Sequence, residues 1–208
     1  MAESIPSSTN SETDVGPLKE EIMRATYCAL VEHGYNDLTM QAIADEFQKS
    51  KSLLYYHYDG KADLLAEFLT YALGQFLSEI NVETADPRAQ LQTLIDRLIP
   101  DPIDPDTYQA QIALLELRSD APHHPVYKEQ YTTVDEQVKK TIIEILQEGV
   151  ETGVFVDIKP AVEAELLLSI LQGVRMRRVT THEEFPISSS RAAIEAHVER
   201  FERATPTE

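Results

Sequence analysis

Residues 50–58 read Ser-Lys-Ser-Leu-Leu-Tyr-Tyr-His-Tyr, and Lys61 follows after a short break. These side chains suit contact with nucleic acid better than bond cleavage. A lysine ammonium neutralises a phosphate or reaches a guanine edge. A tyrosine hydroxyl binds phosphate while its ring packs on a sugar or a thymine methyl. Across residues 48–61 three lysines (Lys49, Lys51, Lys61) face one acid, Asp59, a local balance of +2 in a chain whose formal net charge is -18. Thr39 and Ser50 are helix-capping types, and each would turn free backbone N–H groups towards phosphates.

Other candidates are weaker. His123-His124 lies between prolines without matched carboxylates or thiols, so solvent exposure is the expected reading and no metal is expected. Cys28, the single cysteine, falls near the apolar face of the first helix and reads as a small core residue. Phe68, Tyr71, Phe76, Tyr127 and Tyr131 stand at helical spacing, which serves a plain core more often than a ligand pocket. Gln111, Glu116 and Arg118 lie among apolar neighbours and could be the few polar groups that orient a ligand, with Leu115 and Gln172 lining the same pocket. Glu116 or Arg118 could equally be satisfied by an internal pair. Arg175, Arg177 and Arg178 read as a solvated helix end or an inter-subunit pairing site. A Gly-rich phosphate loop, a nucleophile elbow, an HExxH helix and a carboxylate pair at useful spacing are all lacking, so an enzyme and a cofactor are not expected.

The elements that must carry these residues are helical. Pro17 opens a first helix with Leu18, Ile22, Ala25 and Ala29 in register, ending near Gly34. Thr39 caps a short second helix bearing Met40, Ile43, Ala44 and Phe47 at i, i+3, i+4, i+7, with Leu38 packing on Ile43 as a staple. A third helix starts at Ser50, with Leu54 and Tyr58 facing inward and Ser52, Leu53, Tyr55 and Tyr56 outward. Asp59-Gly60 ends it, and Lys61 begins a fourth. Two short helices joined by a three- or four-residue turn have the dimensions of a helix-turn-helix. Beyond them, helices are expected after Pro87, from Tyr108 to Leu117, from about Val126 to Gly149 or Gly153, from Pro160, and from about Ser189 to Arg203. The helix from Pro160 is apolar nearly all round and must be covered on both sides.

The third-helix segment closely resembles the recognition-helix signature of the TetR family of transcriptional regulators, SKGxLYYHF followed by a helix-opening lysine. The resemblance extends through Gly34-Tyr35, Leu38-Thr39, Ile43-Ala44 and Leu64-Leu65, covering residues 17–65. It implies DNA contacts for Lys51, Tyr55, Tyr56, His57 and Lys61. Gln48-Lys49 stands where the family has Gly-Val, which offers Lys49 for a further phosphate contact. Leu53 replaces a small polar residue, so readout there would be apolar, against a thymine methyl. The family also implies an all-α fold: a flexible arm (1–16), a helix-turn-helix head (17–62) and a larger helical ligand-binding and dimerisation domain (63–208). Leu167, Ile170, Leu171, Val174, Ile194, Val198 and Phe201 are expected to form a homodimer interface. The implied function is a repressor that binds a palindromic double-stranded operator as a dimer and is released by a small apolar effector. A regulator without an effector, constitutive or governed by a protein partner, is the alternative.

Composition bounds the rest. Asp and Glu number 36 against 18 Lys and Arg, with eight lysines, 42 % hydrophobic residues and a pI of about 4.6. Even residues 17–65 hold eight acids against five bases. Such an excess opposes nucleic-acid binding at low salt but fits a cytoplasm of molar salt, where the Debye length is about 3 Å. A halophilic, cytoplasmic protein is expected, with no secretory leader, no disulfide and no membrane span.

Overall fold

The computed structural model describes residues 16–47, 51–79, 86–182 and 187–201. Nine α-helices are found among them: α1 (Pro17–Asp37), α2 (Met40–Phe47), α3 (Lys51–His57), α4 (Lys61–Glu79), α5 (Pro87–Leu98), α6 (Pro105–Asp120), α7 (Pro125–Glu151), α8 (Pro160–Thr180) and α9 (Ile187–Val198). Single 3-10 turns follow α6 (Ala121–His123) and α9 (Glu199–Phe201). The segment 1–15, and with it nearly all of the expected arm, lies outside the described residues, as do Lys49 and Ser50.

Proline opens α1, α5, α6, α7 and α8, because its fixed φ suits a first turn where its missing N–H costs nothing. Asp86 and Asp104 add side-chain caps, accepting from the N–H of Arg88 at 3.1 Å and of Thr107 at 2.9 Å. α6 thus begins at Pro105 and runs to Asp120, longer than the apolar stretch alone suggests, and α9 ends at Val198 in a 3-10 turn.

Helices α1 to α3 form a small head. Met40, Ile43, Ala44 and Phe47 bury one face of α2 against α1, while Leu54 is the one buried residue of α3. Thr39 caps α2 as the spacing predicts, its hydroxyl accepting the Ala42 N–H at 3.1 Å. Helix α4 leaves the head and packs on α7, which also packs on α5 and α8. α7 buries the row Tyr127, Tyr131, Val134, Val138, Ile142, Ile145 and Leu146, so it forms the spine of the larger region.

Three expectations change here. Cys28 is exposed, because the buried row of α1 runs through Ala25, Thr26 and Ala29 and leaves residue 28 outside it. Tyr127 is 1 % exposed and belongs to the core, where His124 stacks on its ring, so it is no pocket residue. Leu167, Leu171, Val174, Ile194 and Phe201 are 0–5 % exposed within the single chain, so they fill its own core rather than face a second copy. Ile170 and Val198 are only half-buried and pack against that core.

Burial also pushes tyrosine hydroxyls above their ordinary range, to about 12 for Tyr58 and Tyr127, and upward for Tyr35 and Tyr131. Between pH 10 and 12 the folded chain therefore holds protons that the unfolded chain has released, and stability falls as pH rises. Alkaline titration should show cooperative loss of helix by circular dichroism in that window, together with a late tyrosinate signal. Tyrosines that titrate at pH 10 in a fully helical protein would contradict this.

Candidate DNA-reading face and ligand cavity

In α3 the 3.6-residue period sends Leu54 inward, and the remaining side chains follow from that. Tyr55 and Tyr56 are 51 % and 81 % exposed, and Lys51, Ser52 and His57 are exposed as well. The Lys51 ammonium lies 5.7 Å from the centre of the Tyr55 ring, and His57 meets the Tyr56 ring edge-on. The result is an outward face of one cation, one imidazole, two phenols and a hydroxyl. Such a face can donate hydrogen bonds to phosphates and lay rings on sugars or thymine methyls.

Two expected members depart from this face. Leu53 is half-buried and packs against the core, which limits any readout it could offer. Lys61 turns inward: its Nζ donates to the carbonyl of Tyr35 at 2.6 Å and sits 4.8 Å over that ring. Burial lowers its pKa, opposed by the charges of Asp120 and Asp37. Its cation serves the head's own framework rather than a free phosphate contact.

That framework joins the head to α6. At Gly34 the backbone swings to φ +70°, a conformation glycine adopts without strain, and the chain resumes a last helical turn to Asp37. The swing aims the Tyr35 N–H at Glu116 Oε2, 3.1 Å away, while the Tyr35 hydroxyl donates to Asp120. That hydrogen bond holds the Asp120 carboxyl below the usual carboxylate range, and His124 Nε2 pairs with it at 2.9 Å. The Tyr27 hydroxyl donates to the Asp106 carbonyl at 2.8 Å, at the other end of α6.

The opposite side of α6 walls a cavity of about 380 Å³ between α4, α7 and α8. Phe76, Gln111, Leu115, Arg118, Tyr131 and Gln172, all expected there, line it together with an apolar majority. Phe68 and Tyr71 line a second, adjoining cavity of about 810 Å³ between α1, α4 and α6. Phe76, Gln111 and Arg175 are common to both. Arg118 forms a fork with Asp135, Nη1 to Oδ1 at 3.2 Å and Nη2 to Oδ2, and Gln172 Nε2 donates to Oδ1 at 2.8 Å. Tyr131 donates its hydroxyl to the Leu114 carbonyl.

Asp135 and Arg175 complete the cavity's ionic lining, and the sequence reading did not include them. Of the arginine trio of α8 only Arg177 is exposed as a solvated end would be: Arg175 lies over the Phe76 ring at 5.2 Å, and Arg178 is buried with Nη2 donating to the Pro100 carbonyl at 2.6 Å. A helical wheel of α8 carries the missing signal, since Arg175 and Arg178 share the side of Leu171 and Val174. Burial pulls both guanidinium pKa values down. Among the described residues no cluster of His, Cys, Asp or Glu could hold a metal ion, and no helix is long and apolar enough to cross a membrane.

A family model described as bacterial regulatory proteins, tetR family, matches residues 22–68, and one described as BetI-type transcriptional repressor, C-terminal, matches residues 87–202. A TetR transcription regulator from Haloarcula marismortui is 38 % identical, with a TM-score of 0.83 over 89 % of this chain and 98 % of that one. The chain belongs to the TetR family of transcriptional regulators. Other solved structures share the fold of this TetR-family regulator at lower identity. A regulator from Saccharomonospora viridis, solved in complex with choline, is 21 % identical with a TM-score of 0.74, covering 88 % of this chain and 97 % of that one. The fatty acid degradation regulator FadR from Bacillus halodurans is 20 % identical with a TM-score of 0.71, covering 88 % and 95 %. No curated protein sequence matches the chain.

Proposed function

We propose that this regulator is a dimeric repressor that holds a palindromic operator through α3 and is released when a small molecule enters the cavity beside α6. The observation that carries the reading is the outward face of Lys51, Ser52, Tyr55, Tyr56 and His57, anchored by a single buried leucine. Side chains left in water at such density, two of them large aromatics, invite an external partner. Thr39 supports the contact by capping the start of α2, and Lys49 and Ser50 would extend it. The head spans roughly residues 17–62 in this reading and the regulatory region the remainder.

Dimerisation falls to the outer side of α8. Val162 is 59 % and Leu166 42 % exposed, and they share a face with Ser169 and Gly173 at i, i+4, i+7 and i+11. Small residues there permit close approach of a second helix. Exposed Ala192, Ala193 and Ala196 give α9 a comparable side. Two-fold symmetry then pairs two recognition helices with two half-sites. Changing Val162 and Leu166 together to glutamate should yield a folded monomer by light scattering, with its operator affinity collapsed. A dimer that survives the change would place the interface elsewhere.

The net charge of -18 suits work at high salt, and the Haloarcula relative is in keeping with that. Selection of random duplexes by the purified protein at about 2 M KCl, where screening is nearly complete at van der Waals range, tests the whole reading. Recovery of an inverted repeat supports it. Recovery of no sequence at either high or low salt would refute it.

A further inference from the structure

We propose that the cavity between α4, α6, α7 and α8 takes an amphipathic anion, a carboxylate on an apolar body, whose head lies between Arg175 and Gln111, and that it rejects quaternary ammonium ions. The inference rests on the reading of this cavity as the effector site and adds its ligand class.

Charge makes the first argument. The ionic groups lining the cavity are Arg118, Arg175 and Asp135, a surplus of one positive charge within a chain of -18. Asp135 is already paired, its oxygens accepting from Nη1 and Nη2 of Arg118 and from the Gln172 amide. Arg175 rests on the face of Phe76 and feels the Asp135 charge only through space, with no carboxylate ion-paired to it among the described residues. A guanidinium in a poorly solvated cavity without a counter-ion favours an incoming carboxylate, which it binds in a planar fork.

Hydrogen bonding makes the second. Gln111 Oε1 is buried and has no partner among the described residues. The side-chain amide can turn either end inward, so its NH2 can be presented to a carboxylate head in place of an orphaned carbonyl. Leu73, Leu98, Leu114, Val134, Val138 and Leu168 surround the remaining space and suit an apolar body.

The third argument concerns what is excluded. A quaternary ammonium has no proton to donate and is held by aromatic faces and a carboxylate. Here each ring already carries a cation on one face, which repels a second: Arg175 lies over Phe76 at 5.2 Å and Arg118 over Tyr131 at 4.8 Å. The lone carboxylate is spoken for. The relative solved with choline therefore does not foreshadow the ligand of this chain.

Calorimetry on the full-length protein at molar KCl, below micelle-forming concentrations, compares decanoate, decanol, decyltrimethylammonium and choline. Decanoate should bind about ten- to a hundredfold more tightly than decanol, the range expected for one charge-assisted hydrogen-bonded pair. Arg175→Met should bring decanoate down to the level of decanol and leave decanol unchanged, while Arg175→Lys retains most of the preference. The wild-type series stands by itself should Arg175→Met fail to fold. Tighter binding of decanol or of either ammonium would overturn the ligand class and leave the cavity reading intact. Binding by none of the four probes would overturn both, and decanoate binding indifferent to Arg175→Met and Arg175→Lys would move its site away from the proposed head position.

Discussion

Replacing Tyr56 with alanine should weaken operator binding by roughly 30- to 10⁴-fold while leaving the melting temperature in place. The side chain is 81 % exposed, so its removal opens no cavity, and surface changes of this kind stay within about 0.5 kcal/mol. A specific base-edge or apolar contact is worth about 1–3 kcal/mol of discrimination, and a dimer makes two of them, which gives the quoted range. Lys51→Ala should behave differently. It should lower affinity for all duplexes alike and flatten the dependence of log K on log salt by about 0.9 for each phosphate no longer neutralised. Selected duplexes retained by both variants with unchanged affinity and unchanged salt slope would exclude α3 as the reading element.

Gly149→Ala is expected to be the most damaging single methyl in the larger region. A Cβ at that position would lie 2.0 Å and 2.3 Å from two ring carbons of Phe155, and the Phe155 N–H is tied to the Gly149 carbonyl at 2.9 Å. The ring cannot swing away, being 1 % exposed and edge-on to Phe201 with centroids 5.7 Å apart. Beyond it, Val156 donates to the Phe201 carbonyl at 2.8 Å, so the segment after α9 is fastened to the same turn. Overpacking of this kind costs about 3 kcal/mol, or roughly 6–12 °C for a chain of this size. Combining Gly149→Ala with Phe155→Leu should recover part of the loss in a double-mutant cycle. A melting temperature unmoved by Gly149→Ala would mean that the turn is far looser than its hydrogen bonds imply.

The head is legible in the sequence because its signals are local. A capping threonine, a four-residue apolar row and a lone inward leucine each act within one or two turns, and Thr39, Ile43 and Leu54 lie where their spacing puts them. Helix existence follows from proline openings and apolar rows for the same reason. The α8 surface is harder. Its apolar residues run nearly all round, so periodicity alone does not decide which side meets the chain's own core; Leu167 and Leu171 go in, and Val162 and Leu166 stay out. The cavity depends on pairings across the fold, such as Arg118 with Asp135 seventeen residues on and Gln172 thirty-seven beyond that, which no local pattern encodes. Lys61 escapes a local reading because its partner, Tyr35, lies twenty-six residues earlier.

Helix α6 shows Gln111, Leu114, Leu115 and Arg118 to the cavity and Glu116 and Asp120 to Tyr35 of the head. At 1.5 Å of rise per residue, Arg118 and Asp120 are only about 3 Å apart along the axis. A guest that tilts this rod does so against the contacts that Glu116 and Asp120 make, and the free energy for that movement is withdrawn from its own binding. A guest that fits the resting cavity better than the tilted one holds α6 where it is, because a ligand shifts an equilibrium only towards the state it binds more tightly. On the proposed reading, affinity and inducing power consequently part company: tight binding alone does not make a guest an inducer.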